Sequence, residues 1–394
     1  MSVIEDTALP CPYTKLRSCW RLENIVTKTN VSAASISELP VSESPKHTAP
    51  LTDNSRLTFA LKEKLKRGIN VNGEFHLPCV PSMLDDYLKL LSDFLKLVGQ
   101  NLGNPETESL KRLLGNALAE GFKQSPHASL IVSYLPANAQ TGLSGGITIN
   151  TKIQVESMAD KYHSWPQIRS EPLFGSHPDA KVMAIVTGLG EAGKSPILDV
   201  GAGPGRNSLP LARLGYAVDA IELTPIFAEK LSAAAIAENL PVTVTQGDVL
   251  DPLLRIKTYR YKLAIATEVL SHFRHTEQVR LFLGKMSDSV LSSGFILFST
   301  FLAVDGYKPD DMAKQMSEQS WSYLITRQEL SEAIEGLPLE IVSDESVIEY
   351  EQKHLPKEAW PPTSWFLSWA SGRDLFPMQE TPPMELRWIL VKRL

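Results

Sequence analysis

The chain has 394 residues and a formal net charge of −6, and it is 43% hydrophobic and 21% charged. At roughly 150 residues per domain, this length predicts two or three domains. The acidic balance argues against a nucleic-acid partner, because phosphate neutralisation calls for a basic surplus. Three cysteines without zinc-ligand spacing are typical of a reducing compartment.

Membrane and secretory segments are not expected. No apolar run approaches the ~18 residues that a membrane-spanning helix needs. The N-terminus carries an early glutamate and aspartate and lacks the apolar core of a secretory signal. The sequence therefore predicts a cytoplasmic protein with no membrane partner.

The first 55 residues have the composition of a flexible tail. Val31–Ser55 contains six Ser, two Thr and three Pro. Such a segment has little apolar area to offset the entropy of ordering. Residues 1–55 are predicted to be a flexible tail, and the alternative is a segment that docks a protein partner.

Residues 56–156 are predicted to form an accessory domain of helices and a β-hairpin. Apolar residues recur at helical spacing over Ser82–Leu102 and over Glu106–Gln124, within a stretch, 56–128, that is predicted to be helical. Residues 129–156 contain two β-branched runs separated by a polar, turn-rich link, which is typical of a hairpin.

Residues 157–394 alternate strand and helix signals, which favours a doubly wound α/β sheet with helices on both faces. Strands are predicted at Pro196–Val200, Ala217–Glu222, Val242–Gln246, Leu263–Thr267, Phe295–Thr300, Leu339–Ser343 and Leu386–Lys392.

The most informative segment is Ser195–Arg206. A buried strand ends at Asp199, and Gly201, Gly203 and Gly205 follow at alternate positions. Glycines allow a sharp turn and let a ligand contact bare backbone. The next helix begins directly afterwards, so its N-terminal amides face the same cavity.

Acidic residues end the next two strands. Glu222 closes the second strand, where a carboxylate can accept hydrogen bonds from both ribose hydroxyls of a nucleoside. Asp248 and Val249 close the third strand, where the aspartate can accept a hydrogen bond from an adenine amino group and the valine can pack on the ring.

The dinucleotide fingerprint G-x-G-x-x-G fails in both registers. The sixth position is Arg206 when counted from Gly201 and Ser208 when counted from Gly203. A nucleoside without a pyrophosphate is therefore expected, and an NAD-dependent oxidoreductase is disfavoured.

The segment DVGAGPGRNSLPLARLGYAVDAIELTP resembles motif I and the following helix and strand of class I S-adenosylmethionine-dependent methyltransferases. GDVLD and ATEVLSHF resemble their third- and fourth-strand motifs, and LITRQELSEAIEGLPLEIV resembles the late helix and sixth strand of the small-molecule enzymes. The resemblance covers about residues 157–394. It implies a seven-stranded Rossmann-like sheet whose last strand is antiparallel. The fourth strand departs from the pattern, because it opens with Tyr261 rather than aspartate.

The resemblance implies S-adenosyl-L-methionine as cofactor, a small molecule as methyl acceptor and no metal. The residues that it assigns to the cofactor are Asp199, Gly201, Ala202, Gly203, Gly205, Glu222, Leu223, Asp248, Val249, Thr267 and Glu268.

Candidates for catalysis are fewer, because a methyl transfer mainly needs alignment and exclusion of water. His272, just past the fourth strand, is the candidate general base, and a structural or substrate-contact role is the alternative. Ala159–Trp165 resembles the family's lid helix, which implies that Tyr162 closes over the cofactor; packing against the sheet is the alternative. Arg206 either reaches a carboxylate or lies on the surface.

An aromatic insertion lies between the sixth and seventh strands, and it is predicted either to pack in the core or to form a wall of the substrate pocket. Its members are Trp360, Trp365, Phe366, Trp369 and Phe376.

Two other functions stay open beside a small-molecule methyltransferase. One is methylation of a protein or peptide that residues 56–156 recognise. The other is a protein that binds S-adenosylmethionine without turnover, which the same glycine loop would serve.

Overall fold

A computed structural model describes residues 73–136, 147–155, 162, 165 and 172–394. The predicted tail and most of the predicted lid helix lie outside these residues. The chain divides into two compact units, of which the first runs to Gln124 and includes Ala128–Val155, and the second comprises Ser125–His127 and Glu156–Leu394. None of the helices in the described ranges has the length and apolar character that a membrane crossing requires.

The first unit is an antiparallel sheet that packs against two helices. Its strands follow the order β1–β2–β3. The elements are β1 (Gly73–Pro78), α1 (Leu84–Leu97), α2 (Asn104–Gln124), β2 (Ser129–Pro136) and β3 (Ile147–Gln154).

The core of this unit follows from two periodicities. Alternate residues Leu130 and Val132 of β2 are buried, as expected for a strand with one covered face. The helices contribute residues at i and i+4, which lie on one helical face. The buried helical residues are Tyr87, Leu91 and Leu95 on α1 and Leu110, Leu114 and Leu118 on α2.

The helical prediction for residues 56–128 was wrong at β1. This strand pairs antiparallel with β2 and extends the predicted hairpin to three strands. Phe75 and Leu77 alternate as in a strand, and the Phe75 ring lies 5.0 Å from the Phe94 ring. A run of six residues is too short for its periodicity alone to distinguish a strand from a helix. Pairing with β2 therefore determines the conformation.

The second unit contains the predicted doubly wound sheet. Its seven long strands follow the order β10–β11–β8–β7–β4–β5–β6, and only β11 runs antiparallel to its neighbours. A two-residue strand, β9, also pairs with β8. The strands are β4 (Ile197–Val200), β5 (Val218–Glu222), β6 (Val242–Gln246), β7 (Tyr261–Ala266), β8 (Val290–Ala303), β9 (Leu324–Ile325), β10 (Leu339–Ser346) and β11 (Met384–Arg393).

The predicted class I topology is confirmed by this order, and β9 is an addition that the sequence did not indicate. The helices of the unit are α3 (Ala180–Val186), α4 (Ser208–Arg213), α5 (Pro225–Ala237), α6 (Thr276–Ser289), α7 (Asp311–Gln319), α8 (Arg327–Ile334), α9 (Val347–His354) and α10 (Phe366–Ala370).

The strand order reverses between β4 and β7. Strand β4 pairs in parallel with β5 on one side and with β7 on the other. The chain therefore moves outward through β5 and β6 and returns across β4 to β7. In open α/β sheets, ligands bind in the crevice at the carboxyl ends of the strands at such a switch point.

Candidate functional site

The glycine loop leaves β4 at the switch point in a left-handed conformation. The φ angles of Gly201, Gly203 and Gly205 are 70°, 54° and 103°, a region that favours glycine. The N–H groups of Gly201 and Ala202 donate to the Ile221 carbonyl at 2.8 and 3.1 Å. These bonds tie the loop to the end of β5.

Space around the loop differs from one glycine to the next. A Cβ on Gly201 would lie 2.4 Å from Val269 Cγ2, and one on Gly205 would lie 2.6 Å from Leu231 Cδ1. A Cβ on Gly203 would meet nothing within 4 Å. Gly201 and Gly205 are therefore glycines because of packing, whereas Gly203 leaves an open cradle of bare backbone.

Glu222 ends β5 beside this cradle and is 5% exposed. Its Oε2 accepts the Gly203 N–H at 2.8 Å, and its Oε1 accepts the Thr224 N–H at 2.7 Å. Burial raises the pKa of the Glu222 carboxyl, and these backbone bonds oppose the rise. The Thr224 side chain and the Leu223 backbone also lower this pKa, so a ligand hydroxyl that donates to Glu222 shares the carboxylate with these groups. The next residue, Leu223, is exposed.

Asp248 and Val249 follow β6, as the sequence predicted. Asp248 is exposed, and one of its carboxylate oxygens accepts the Leu250 N–H at 2.8 Å. Val249 is buried and belongs to the hydrophobic core of the unit. This pair presents a polar group and an apolar surface at one strand end.

Asp199 is almost fully buried in β4. Ser208 Oγ, at the start of α4, donates to Asp199 Oδ2 at 2.6 Å. Burial raises the pKa of Asp199 to about 7; the Ser208 bond lowers it, and nearby carboxylates such as Glu222 raise it further. Asp199 thus fixes the beginning of the helix behind the glycine loop.

Glu268 stands just past β7 in a left-handed conformation, with φ at 61°. Non-glycine residues avoid this region unless the surroundings enforce it. The Glu268 N–H donates to Ser299 Oγ at 2.7 Å, and Ser271 Oγ donates to the Glu268 carbonyl at 2.9 Å. Arg206 Nη2 donates to Glu268 Oε1 at 3.1 Å. Burial raises the pKa of Glu268 to about 7, and Arg206 opposes the rise.

Arg206 is buried and reaches carboxylates, which settles the two alternatives for this residue. Its Nη1 donates to Asp179 Oδ1. Asn207 holds the same aspartate, because its Oδ1 accepts the Asp179 N–H at 2.9 Å and its Nδ2 donates to Asp179 Oδ2 at 2.8 Å. Asn207 Nδ2 also donates to Thr267 Oγ1 at 3.3 Å.

Sequence reasoning missed Asp179 and Asn207. Asp179 precedes α3 and lies far from the loop along the chain. An aspartate directly before a helix and an asparagine directly after a glycine loop were the available signals. Neither pattern predicts that these two residues form hydrogen bonds with each other.

The two catalytic candidates are hydrogen-bonded to each other. Tyr162 Oη and His272 Nε2 are 3.0 Å apart. His272 Nδ1 is buried and has no hydrogen-bond partner among the described residues. Burial lowers the pKa of His272 to about 4, so the imidazole is neutral at pH 7.

Aromatic rings surround this pair. The Tyr162 ring lies 4.7 Å from that of Trp165 and 5.1 Å from that of Trp321. The His272 ring lies 5.3 Å from the Trp321 ring. Trp321 has a φ of 56°, and its carbonyl accepts the Trp369 Nε1–H at 3.1 Å. Sequence reasoning missed Trp321, which carries no motif.

Two residues of the aromatic insertion pack in the core. Phe366 and Trp369 of α10 are buried. The Trp369 ring contacts the Phe301 ring edge-on at 5.0 Å. For these two residues the structure supports core packing. Trp369 donates a hydrogen bond to the backbone of Trp321, whose ring lies beside His272.

The contacts bring most of the predicted residues together at the switch point. Gly203 meets Glu222, Arg206 meets Glu268, Asn207 meets Thr267, and Tyr162 meets His272. Asp248 accepts its hydrogen bond from Leu250, within its own loop.

Comparison with known families gives one match. Residues 197–294, from β4 into β8, match the family model described as a methyltransferase domain. A search of curated proteins found no match to the chain.

Three solved structures have a similar course of the chain at low sequence identity. Geranyl diphosphate C-methyltransferase from Streptomyces coelicolor A3(2) is 15% identical, with 55% of this chain and 79% of that chain covered and a TM-score of 0.44. The [4+2]-cyclase SpnF is 14% identical, with 55% and 80% covered and a TM-score of 0.41. A putative sarcosine dimethylglycine methyltransferase from Galdieria sulphuraria is 14% identical, with 54% and 83% covered and a TM-score of 0.40. Each TM-score lies below 0.5, so none of these likenesses bears on the activity of this chain.

Proposed function

We propose that this chain, which carries a class I S-adenosylmethionine-dependent methyltransferase domain, transfers a methyl group to a small-molecule acceptor. The family match and the strand order support the domain, and the domain implies the cofactor. The observation that carries the proposal is the Gly203 cradle, whose N–H is bonded to the buried Glu222 at the switch point.

The residues of the cradle suit a nucleoside with an amino-acid tail. Glu222 offers a carboxylate to the ribose hydroxyls, and bare backbone at Gly203 permits close approach. Asp248 and Val249 offer an acceptor and an apolar surface for adenine. S-adenosylmethionine supplies a methyl group activated by a sulfonium.

His272 is the residue proposed to handle the acceptor's proton. In the tautomer whose Nε2–H donates to Tyr162, Nδ1 presents a buried lone pair with no described partner. The pKa of about 4 makes the imidazole a weak base. Proton transfer to His272 is therefore expected to accompany formation of the new bond to methyl, not to precede it.

A small molecule is favoured as acceptor because the surroundings of His272 are apolar and aromatic. The Tyr162 and Trp321 rings lie beside it, Trp165 packs against both of these rings, and such linings are typical of small-molecule sites. Their packing also keeps water from the reacting centre.

Calorimetric titration with S-adenosylmethionine, S-adenosylhomocysteine and NAD tests the proposal. We expect micromolar binding of the two S-adenosyl ligands and no heat from NAD. Absence of binding by both S-adenosyl ligands would overturn the cradle assignment. Binding with no methyl transfer to any small molecule in a chemically diverse panel, measured with labelled methyl donor, would instead support one of the two alternatives, methylation of a protein or peptide or binding without turnover.

A further inference from the structure

A single buried guanidinium bridges two carboxylates beside the cradle. Arg206 donates to Asp179 from one terminal nitrogen and to Glu268 from the other, and its side chain is only 11% exposed. Buried ion pairs contribute little net stability, because desolvation offsets the attraction between the charges. Their presence at a ligand crevice therefore calls for a functional explanation.

The two carboxylates are not equivalent. The Asp179 carboxylate accepts hydrogen bonds from Arg206 and from Asn207 Nδ2, and Asn207 Oδ1 accepts the Asp179 N–H. Glu268 is bonded by Arg206 through Oε1, whereas Oε2 has no hydrogen-bond partner among the described residues. The Glu268 side chain is 22% exposed, so its carboxylate is the one that can still accept a hydrogen bond from a ligand.

Glu268 is also held in place by its backbone. Its left-handed conformation is kept by the N–H bond to Ser299, and a residue retained in such a conformation points to a site that needs its side chain in one direction. The neighbouring Val269 lies against Gly201, whose added Cβ would be 2.4 Å away. Glu268 therefore adjoins the Gly201 end of the glycine loop.

We propose that Arg206 is a positioning residue that, anchored by Asp179, aims the Glu268 carboxylate at the ammonium group of the cofactor's amino-acid tail. The proposal rests on the proposed function, because it concerns the same cofactor. Arg206 fixes one carboxylate oxygen and leaves the other for the ligand. A cationic ligand group would also suit a crevice in which Asp199, Glu222 and Glu268 are all buried or partly buried acids.

The expected pH dependence follows from the groups around Glu268. Arg206 and Asp179 face it directly, and Glu351 lies near Arg206. Because burial places the pKa of Glu268 at about 7, binding through its anionic form is expected to weaken as the pH falls through that value. Arg206 lowers this pKa, so removing Arg206 should move the loss of binding to a higher pH.

The test compares two ligands on the full chain. S-adenosylhomocysteine carries the ammonium group, whereas 5′-methylthioadenosine shares the nucleoside and lacks the whole amino-acid tail. Glu268→Gln should weaken S-adenosylhomocysteine binding roughly ten- to hundredfold, the range for a hydrogen bond to a charged group. It should leave the affinity for 5′-methylthioadenosine within about twofold.

Arg206 variants measure the positioning role. Arg206→Met should weaken S-adenosylhomocysteine binding about as much as Glu268→Gln, Arg206→Lys should restore part of it, and the double variant should be no weaker than either single one. The loss of binding should move to higher pH in Arg206→Met and become smaller in Glu268→Gln. Arg213→Met is the matched control, because this arginine of α4 pairs with Glu238 at the surface.

Failure of the inference differs from failure of the proposed function. If the wild-type chain binds neither nucleoside, the proposed function fails. If it binds both and Arg206→Met matches Arg213→Met in affinity and pH profile, the positioning role is wrong. Circular dichroism checks that each variant is folded. If Arg206→Met is unfolded, Arg206→Lys and Glu268→Gln still test the proposal. Wild-type affinity for S-adenosylhomocysteine in both variants would overturn it.

Discussion

The buried carboxylates of this site differ in the hydrogen-bond donors that contact them. Asp199 receives one serine hydroxyl, Glu222 two backbone N–H groups and Glu268 a guanidinium. All three have a raised pKa because they are buried. The donor set, rather than residue type, therefore separates a carboxylate that stabilises the fold from one that is offered to a ligand.

Glu222→Gln should weaken S-adenosylhomocysteine binding by about 1.5–3 kcal/mol, because an amide cannot accept from the Gly203 and Thr224 N–H groups and both ribose hydroxyls together. The change is measured by calorimetry. Asp219→Asn, on the same strand but bonded to Lys257 and Tyr261, should bind like the wild type. Equal affinity in the two variants would remove Glu222 from the site.

Asp199→Asn should change stability in a pH-dependent way. A carboxyl group whose pKa is raised in the folded state stabilises most at low pH and loses that contribution as the pH rises through the folded value. With a folded pKa of about 7, Asp199 becomes a buried charge between about pH 5 and 8, whereas asparagine stays neutral. The variant should gain on the order of 2–4 kcal/mol relative to the wild type over that range.

Denaturant unfolding without ligand at pH 5, 6, 7 and 8 measures this difference. Asp248→Asn, at an exposed position, is the control and should show no such trend. A constant difference between Asp199→Asn and the wild type would mean that Asp199 does not titrate in this range.

His272→Ala should leave S-adenosylhomocysteine affinity within about twofold and reduce turnover roughly 10²–10⁴-fold, the usual contribution of a general base. Tyr162→Phe keeps the ring and removes the hydroxyl that meets Nε2, so a smaller loss is expected. Turnover is measured with the acceptor found in the labelled-donor panel. Unchanged turnover in His272→Ala would restrict this residue to a structural role.

At the scale of elements, the glycine loop combines two different requirements. Its ends are packed against Val269 and Leu231, and its middle is open. Strand β4 and the bonds to Ile221 hold the loop at the switch point. The same motif therefore contains positions that serve folding and one position, Gly203, that we propose serves the ligand.

Gly203→Ala and Gly205→Ala should have contrasting effects. Alanine at 203 finds open space, so the chain should fold with a loss of about 1–2 kcal/mol from its left-handed φ, while the methyl group blocks the cradle and abolishes ligand binding. Alanine at 205 would meet Leu231 and Leu209, so it should lower stability by a further ~1–3 kcal/mol. Thermal unfolding and calorimetry separate the two, and wild-type affinity in Gly203→Ala would contradict the cradle.

The predicted strand bounds agree with the structure where the apolar pattern in the sequence was long and local. Strand β6 has the predicted bounds, and β4, β5 and β7 begin within two residues of theirs. The long β8 exceeds its prediction because β7 and β11 flank it and pair with nearly its whole length. Strand β1 was missed because its pairing partner lies some 50 residues away.

For the whole molecule, the candidate residues are confined to one of the two units. The first unit has a separate core, in which Leu114 and Leu118 are fully buried. All of the proposed cofactor residues belong to the second unit. The role of the first unit stays a prediction, with recognition of a protein partner as the alternative given by the sequence.

Leu114→Ala tests this separation. The cavity should lower the stability of the first unit by about 2–5 kcal/mol, as for other buried leucines. At a temperature where both units stay folded, S-adenosylhomocysteine affinity should equal that of the wild type. Hydrogen exchange resolves the two units, and a large loss of affinity would show that the site depends on the first unit.

The sequence by itself determined the order of the elements in the second unit, the glycine loop and the acids that end its strands. Those features are local: a strand, a turn and a helix start are encoded within about 25 residues. The failed dinucleotide spacing predicted a nucleoside without a pyrophosphate, and the resemblance to class I methyltransferases implied S-adenosylmethionine.

Only the tertiary structure decided which distant side chains meet. Asp179 and Arg206 are separated along the chain, as are Tyr162 and His272, and no spacing rule links either pair. Burial then set the protonation behaviour of these groups, because desolvation depends on everything packed around a side chain and not on its neighbours in sequence. The sequence therefore specifies the cradle, and the fold specifies the charges around it and the pairing of Tyr162 with His272.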